Sequence, residues 1–130
     1  MAVVENLRVA RTTSTPEVDF NAESGLLTLT GESYPENSFE FFSPLLDWVR
    51  QYLRETSGAV RLKIGLTYMN TSSIKSMMDL LDLLEDAHAE SREVTVTWLY
   101  DEENDRALEM AEEFREEVTL PFFVLPNQSS

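Results

Sequence analysis

This sequence has no cysteine, one histidine, four glycines and few cations, 10 Lys and Arg against 24 Asp and Glu. Without cysteine there is no disulfide framework, no thiolate nucleophile and no Cys-ligated zinc or iron–sulfur centre. The four glycines are scattered, so there is no Gly-rich phosphate loop, and neither G-x-S-x-G nor H-E-x-x-H occurs. A formal charge of −14 repels nucleic-acid phosphates and anionic lipid headgroups, which excludes nucleic acid and membrane as primary partners. No run approaches the ~18 apolar residues of a membrane span. The opening stretch, Met1-Ala-Val-Val-Glu-Asn-Leu-Arg-Val-Ala10, carries Glu5 and Arg8 where a signal peptide would be apolar. The expectation is a soluble cytoplasmic protein with no metal and no cofactor.

What is present describes one folded unit. The chain has 130 residues, 42% of them hydrophobic and 10% aromatic. That length suits one domain with one core, burying about two-thirds of the unfolded surface. The negative charge is uneven: residues 79–117 carry 15 acids and 3 bases, a net of −12, whereas residues 1–78 carry 9 and 7, a net of −2.

Periodicity divides the chain. Residues 1–12 read as an N-terminal extension, 13–126 as the domain and 127–130 as a tail. Glu17–Phe20 and Leu26–Thr30 are β-rich runs joined by a turn over Asn21–Gly25, a hairpin signal. Between Asn37 and Glu55, the residues Phe42, Leu45, Leu46, Val49 and Leu53 fall on one helical face. Ser43 and Pro44 are suited to start that helix, with Asn37–Phe42 as a separate helical piece before it. Val60–Tyr68 is a strand whose alternation breaks near Gly65, the pattern of a central strand covered on both faces. A long helix to about Ala89, a strand over Glu93–Tyr100, a helix over Asp101–Glu117 and a short strand over Phe122–Leu125 complete the order ββαβαβα(β). The fold class is α/β, a mixed central sheet with helices packed against it and parallel later strands.

Few residues carry candidate chemistry. His88 lies near the end of the second long helix, where a structural or surface role is favoured for want of any partner constellation. Asp101, Glu103, Asp105, Glu109 and Glu112 match loop positions 1, 3, 5, 9 and 12 of a calcium site. Position 6 is Arg106, however, where the turn needs glycine, so a solvated helix face is the better reading. The segment Tyr68-Met-Asn-Thr-Ser-Ser-Ile74 is more informative, because it stands where a strand ends and a helix begins. N-capping explains one of its polar residues but not three hydroxyls in a row. An anion site and a phosphoacceptor are both open at this point. On the helix that follows, Ile74, Met77, Met78, Leu81 and Leu84 form an apolar face widened by Leu80, Leu83 and Ala87. Deep burial is the favoured account of that width, and a partly exposed docking patch the alternative.

Several segments together are distinctive: Ser14-Thr15-Pro16, Gly31-Glu-Ser-Tyr-Pro-Glu-Asn-Ser38, Asp47-Trp48-Val49, Tyr68-Met-Asn-Thr-Ser-Ser-Ile74 with Met77-Met78-Asp79, and Ala111-Glu-Glu-Phe-Arg-Glu116. From about Thr13 to Leu125 the chain closely resembles the SiaC-type regulatory phosphoproteins. The resemblance implies a STAS-like fold, related to the anti-sigma-factor antagonists, and a non-enzymatic bacterial switch. It implies phosphorylation by a Ser/Thr kinase of histidine-kinase-type ATPase fold and reversal by a PP2C-type phosphatase. The unphosphorylated form is then expected to bind and activate a diguanylate cyclase, raising cyclic di-GMP and favouring biofilm or aggregation. Carried onto this sequence, the phosphoacceptor is Thr71, with Asn70, Ser72 and Ser73 as its motif neighbours. Tyr34, Pro35, Glu36, Asn37, Lys75, Met78 and Asp79 make up the expected partner surface. Many sigma-factor antagonists have Asp before the phosphosite and Gly soon after, and this segment has neither. Two alternatives stand beside the leading reading: an anti-sigma-factor antagonist in a partner-switching cascade, and a small anion-binding module or enzyme using the helix N-terminus at Thr71–Ser73.

Overall fold

Side chains that alternate buried and exposed along nearly every strand set the architecture. The structure, a computed structural model, describes residues 4–127. Among them lie six strands, β1 (Leu7–Val9), β2 (Glu17–Asn21), β3 (Leu26–Ser33), β4 (Val60–Met69), β5 (Val94–Tyr100) and β6 (Phe122–Pro126). Three helices alternate with the later strands: α1 (Ser38–Glu55), α2 (Thr71–Ala89) and α3 (Asp105–Glu116). The strands form one sheet in the order β1-β2-β3-β4-β5-β6. The first two pairings are antiparallel and the three from β3 to β6 are parallel.

Sequential order across the parallel half has a geometric consequence. Crossovers between parallel strands are right-handed, and each step here moves in the same direction along the sheet, so every helix lands on one face. Burial agrees: Leu27, Leu29, Leu62, Ile64, Val94, Val96 and Trp98 are each at most 1% exposed, on the helical side. On the opposite side Arg61, Lys63 and Thr67 of β4 are exposed. The expectation that the central strand is covered on both faces is therefore corrected, and the molecule has two layers with an open sheet face. The break in β4 has another cause. Its pairing with β3 shifts register between Gly31 and Glu32, which pair with Leu66 and Tyr68 respectively, so Thr67 is an extra residue. A bulge of this kind turns the side chains beyond it to the other face.

Other boundaries also move. The helix is continuous from Ser38, with Pro44 inside it, and is not two pieces. The Asn37 side chain accepts from Glu40 N–H at 3.0 Å, which puts the cap six residues before Ser43. Phe42, fully buried, anchors that first part to the core. Pro44 forfeits one backbone bond there. The third helix starts at Asp105 rather than Asp101, because Asp101 accepts from Glu103 N–H and holds a turn before the Asn104 cap. The stretch 1–12 contains β1, which extends the hairpin into a three-stranded antiparallel half. It is held by Trp48 Nε1 donating to Glu5 O at 2.7 Å and by Ala22 N–H donating to Asn6 Oδ1 at 2.8 Å. Of the 127–130 tail only Asn127 lies within the described residues.

Two further contacts hold the layers together. Arg92 donates to the carbonyls of Gly58, Thr56 and Leu53 and to Thr56 Oγ1, closing the C-terminal end of α1. Glu85 of α2 accepts from Thr119 N–H, Thr119 Oγ1 and Leu120 N–H in the segment before β6. Those bonds hold its carboxyl below the ordinary glutamate value of 4.5, the Thr119 hydroxyl contributing most.

Candidate functional site

Helices on one face of parallel strands must all begin at the same end of the sheet. The N-termini of α1, α2 and α3 therefore converge beyond the C-terminal ends of β3, β4 and β5, the place where open α/β sheets form sites. Each helix is capped by an asparagine, Asn37, Asn70 and Asn104, whose Oδ1 accepts from the backbone of the first turn. The partial positive charge of three helix starts is thus gathered on one rim of an otherwise acidic molecule.

The four polar residues of the Asn70–Ser73 motif divide into two groups. Asn70 accepts from Ser73 N–H at 2.9 Å and donates from Nδ2 to Pro35 O at 3.3 Å. Ser73 is fully buried and shares hydrogen bonds with Ser33 at 2.8 Å and Ser38 at 3.1 Å. Ser72 pairs with Ser38 at 2.7 Å. These side chains stitch the start of α2 to the start of α1 and the end of β3. Ser33, Ser38 and Ser73 are buried hydroxyls that satisfy one another, so their role is structural, while Ser72 is exposed and bonded at the edge of the cluster. Thr71 takes no part in the cluster. It is exposed, and it lines a cleft of about 570 Å³ together with Tyr68, Asn70, Ile74, Asn104 and Arg106.

Around this hydroxyl the surface is unusually aromatic. Of the large apolar side chains exposed among the described residues, Phe39 (75%), Tyr68 (50%) and Tyr34 (41%) are at this rim. Tyr34 and Tyr68 meet edge to face with centroids 5.9 Å apart. The β4 bulge creates that pair: without Thr67 as an extra residue, strict alternation would send Tyr68 to the core side and Met69 outward, whereas Met69 is 3% exposed.

The residues expected on the partner surface are partly united. Tyr34, Pro35, Glu36 and Asn37 form the loop entering α1, and Pro35 is tied to the motif through Asn70. Lys75 and Asp79 are exposed on α2. Met78 lies in a neighbouring groove of about 410 Å³ between α2 and α3, with Ile74, Arg106, Met110 and Phe114. The wide apolar face of α2 is resolved accordingly. Met77, Leu80, Leu81 and Leu84 are fully buried, while Ile74 and Met78 edge the groove. His88, near the C-terminal end of α2, is remote in sequence from this rim and interacts with Glu85. Asp105, Glu109 and Glu112 lie on helix α3, so the calcium-loop pattern has no loop to occupy. Sequence reading missed Phe39, Tyr68 and Arg106 as site residues. A bulky aromatic two residues after a helix cap was the available signal for Phe39. The bulge that exposes Tyr68 leaves only a broken alternation.

Comparison with known proteins adds independent findings. A family model described as SiaC family regulatory phosphoprotein matches residues 9–127. An uncharacterized protein of Pseudomonas aeruginosa (strain UCBPP-PA14) is 46% identical over 121 residues, covering 93% of this chain and 96% of that one. The solved structure of SiaC of Pseudomonas aeruginosa superposes with a TM-score of 0.90 at 44% identity, over 95% of this chain and 99% of that chain. A second solved structure is of the diguanylate cyclase SiaD in complex with its activator SiaC from the same organism. It matches with a TM-score of 0.90 at 45% identity, over 93% of this chain and 99% of that chain.

Proposed function

This chain belongs to the SiaC family of regulatory phosphoproteins, and on that premise we propose that it is a non-enzymatic signalling switch whose phosphoacceptor is Thr71. Unphosphorylated, it binds and activates a diguanylate cyclase and so promotes cyclic di-GMP signalling and biofilm or aggregation. A kinase of histidine-kinase-type ATPase fold loads the phosphate and a PP2C-type phosphatase removes it, in the cytoplasm.

The observation that carries this reading is the division within the motif: Thr71 is turned out into a cleft, while Ser72 and Ser73 are held in the serine cluster. A kinase needs a hydroxyl it can reach. A phosphate adds nearly two negative charges and three acceptor oxygens. The N-terminus of α2 stabilises that charge, so the fold tolerates it. A partner covering Tyr34, Phe39 and Tyr68 does not, because aromatic interface centres are desolvated and a dianion beside them must be stripped of water. The switch therefore acts on association and leaves the fold intact.

The reading is tested by co-expressing the chain with its kinase and measuring intact mass. One added phosphate is expected on the parent and on Ser72→Ala, and none on Thr71→Ala. Modification that persists in Thr71→Ala would refute the assignment.

A further inference from the structure

Arg106 is placed against local rules. It is the second residue of α3, where the helix dipole disfavours a cation. It forms no ion pair among the described residues, although Glu109 stands three positions along the same helix. It lines both the Thr71 cleft and the apolar groove with Ile74, Met78 and Met110. Asn104, two residues earlier, donates from Nδ2 to Thr67 O at 3.2 Å, which fixes this end of α3 beside the end of β4.

We propose that Arg106 is the internal receptor of the phosphate on Thr71, so that modification bridges α2 to α3 across the cleft. The inference rests on Thr71 being the phosphoacceptor. A guanidinium matches phosphate oxygens with two parallel hydrogen bonds and stays charged at every relevant pH. The backbone N–H groups at the start of α2 approach the phosphate from the other side. Lys75, one turn along α2, is an exposed point charge that contributes less geometry. Arg106 also forms part of the wall of the Ile74–Met78–Met110 groove. Phosphorylation would then withdraw the cation from the surface and from the wall of that groove at the same time.

The test uses the full chain synthesised with phosphothreonine at position 71, so that neither kinase nor cyclase is needed and a failure here is distinct from a failure of the switch itself. The second ionisation of the phosphate is followed by ³¹P NMR. The charged or titratable groups lining its cleft are Arg106 of α3 and Tyr68 of β4, with Lys75 one turn along α2 and Asp105 and Glu109 near Arg106 on α3. A nearby cation favours the dianion. The phosphate should therefore ionise about half a pH unit or more lower in the parent than in Arg106→Gln. Arg106 is exposed, so that variant should keep its circular dichroism spectrum. Equal titration of parent and Arg106→Gln, or an effect seen only in Lys75→Gln, would overturn the proposal.

Discussion

Removing the Thr71 hydroxyl should leave thermal stability within about 0.5 kcal/mol of the parent, because the side chain is exposed and outside the serine cluster. Ser73→Ala should cost about 1–3 kcal/mol, since it orphans the buried Ser33 and weakens the hold on Ser38. Urea unfolding of the two variants separates the proposed phosphoacceptor from the structural residue. The reverse ranking would contradict the assignment of roles within the motif. The Asn70–Ser73 junction was legible in the sequence, because hydroxyls and an asparagine where a strand meets a helix have few roles to choose from, and the family resemblance alone singled out Thr71. Arg106 was not, since an Arg among acids looks like surface until the topology brings α3 beside α2. Glu85 supplies a pH signature at the same scale. Its pKa is lowered in the folded state, so its bonds to Thr119 and Leu120 contribute stability above the unfolded value. That contribution is lost as the pH falls through the folded value. Glu85→Gln should narrow the stability gap between neutral pH and pH about 3, as followed by chemical denaturation. An unchanged gap would show that the Glu85 bonds do not persist in solution.

The element that most shapes the site is the bulge in β4. It costs the regular ladder one residue, Thr67, and in exchange directs Tyr68 outward and Met69 into the core. Deleting Thr67 should remove the bulge and leave Leu66, Tyr68 and Met69 paired in succession with Gly31, Glu32 and Ser33, so that Tyr68 still points outward and Met69 into the core. The deletion chain should therefore keep cyclase binding, because the aromatic pair is preserved. By contrast Tyr68→Ala should keep its stability and weaken cyclase binding about tenfold or more, as should Phe39→Ala. Isothermal titration with the purified cyclase reads this directly, and unchanged affinity in both alanine variants would remove the aromatic rim from the interface. Element types were legible from hydrophobic period for the helices and most strands. The misplacements share one cause, local side-chain chemistry overriding pattern. Asn37 starts α1 ahead of Pro44, Asp101 delays α3 by a turn, and Asn6 with Trp48 secures β1 in a stretch that looks like tail.

At the scale of the whole molecule, strand order decides where function can lie. Parallel strands laid down in sequence place all the helices on one face and all their N-termini at one rim. That rim gathers three helix starts, the exposed aromatics and Thr71, and most of the −14 charge lies on residues 79–117, including Asp101, Glu102, Glu103 and Asp105 where α3 begins. The charge first served to exclude nucleic acid and anionic membrane. In the folded chain it also means that a phosphate changes total charge little and local charge greatly, beside Lys75 and Arg106. No helix among the described residues is long and apolar enough to cross a membrane. The central claim is that a phosphate on Thr71 releases the cyclase. It is tested most directly by the dissociation constant of purified diguanylate cyclase for the chain with threonine and with phosphothreonine at position 71. The switch predicts binding at least about 100-fold weaker with phosphothreonine, near 3 kcal/mol. Equal affinity for the two forms would contradict it.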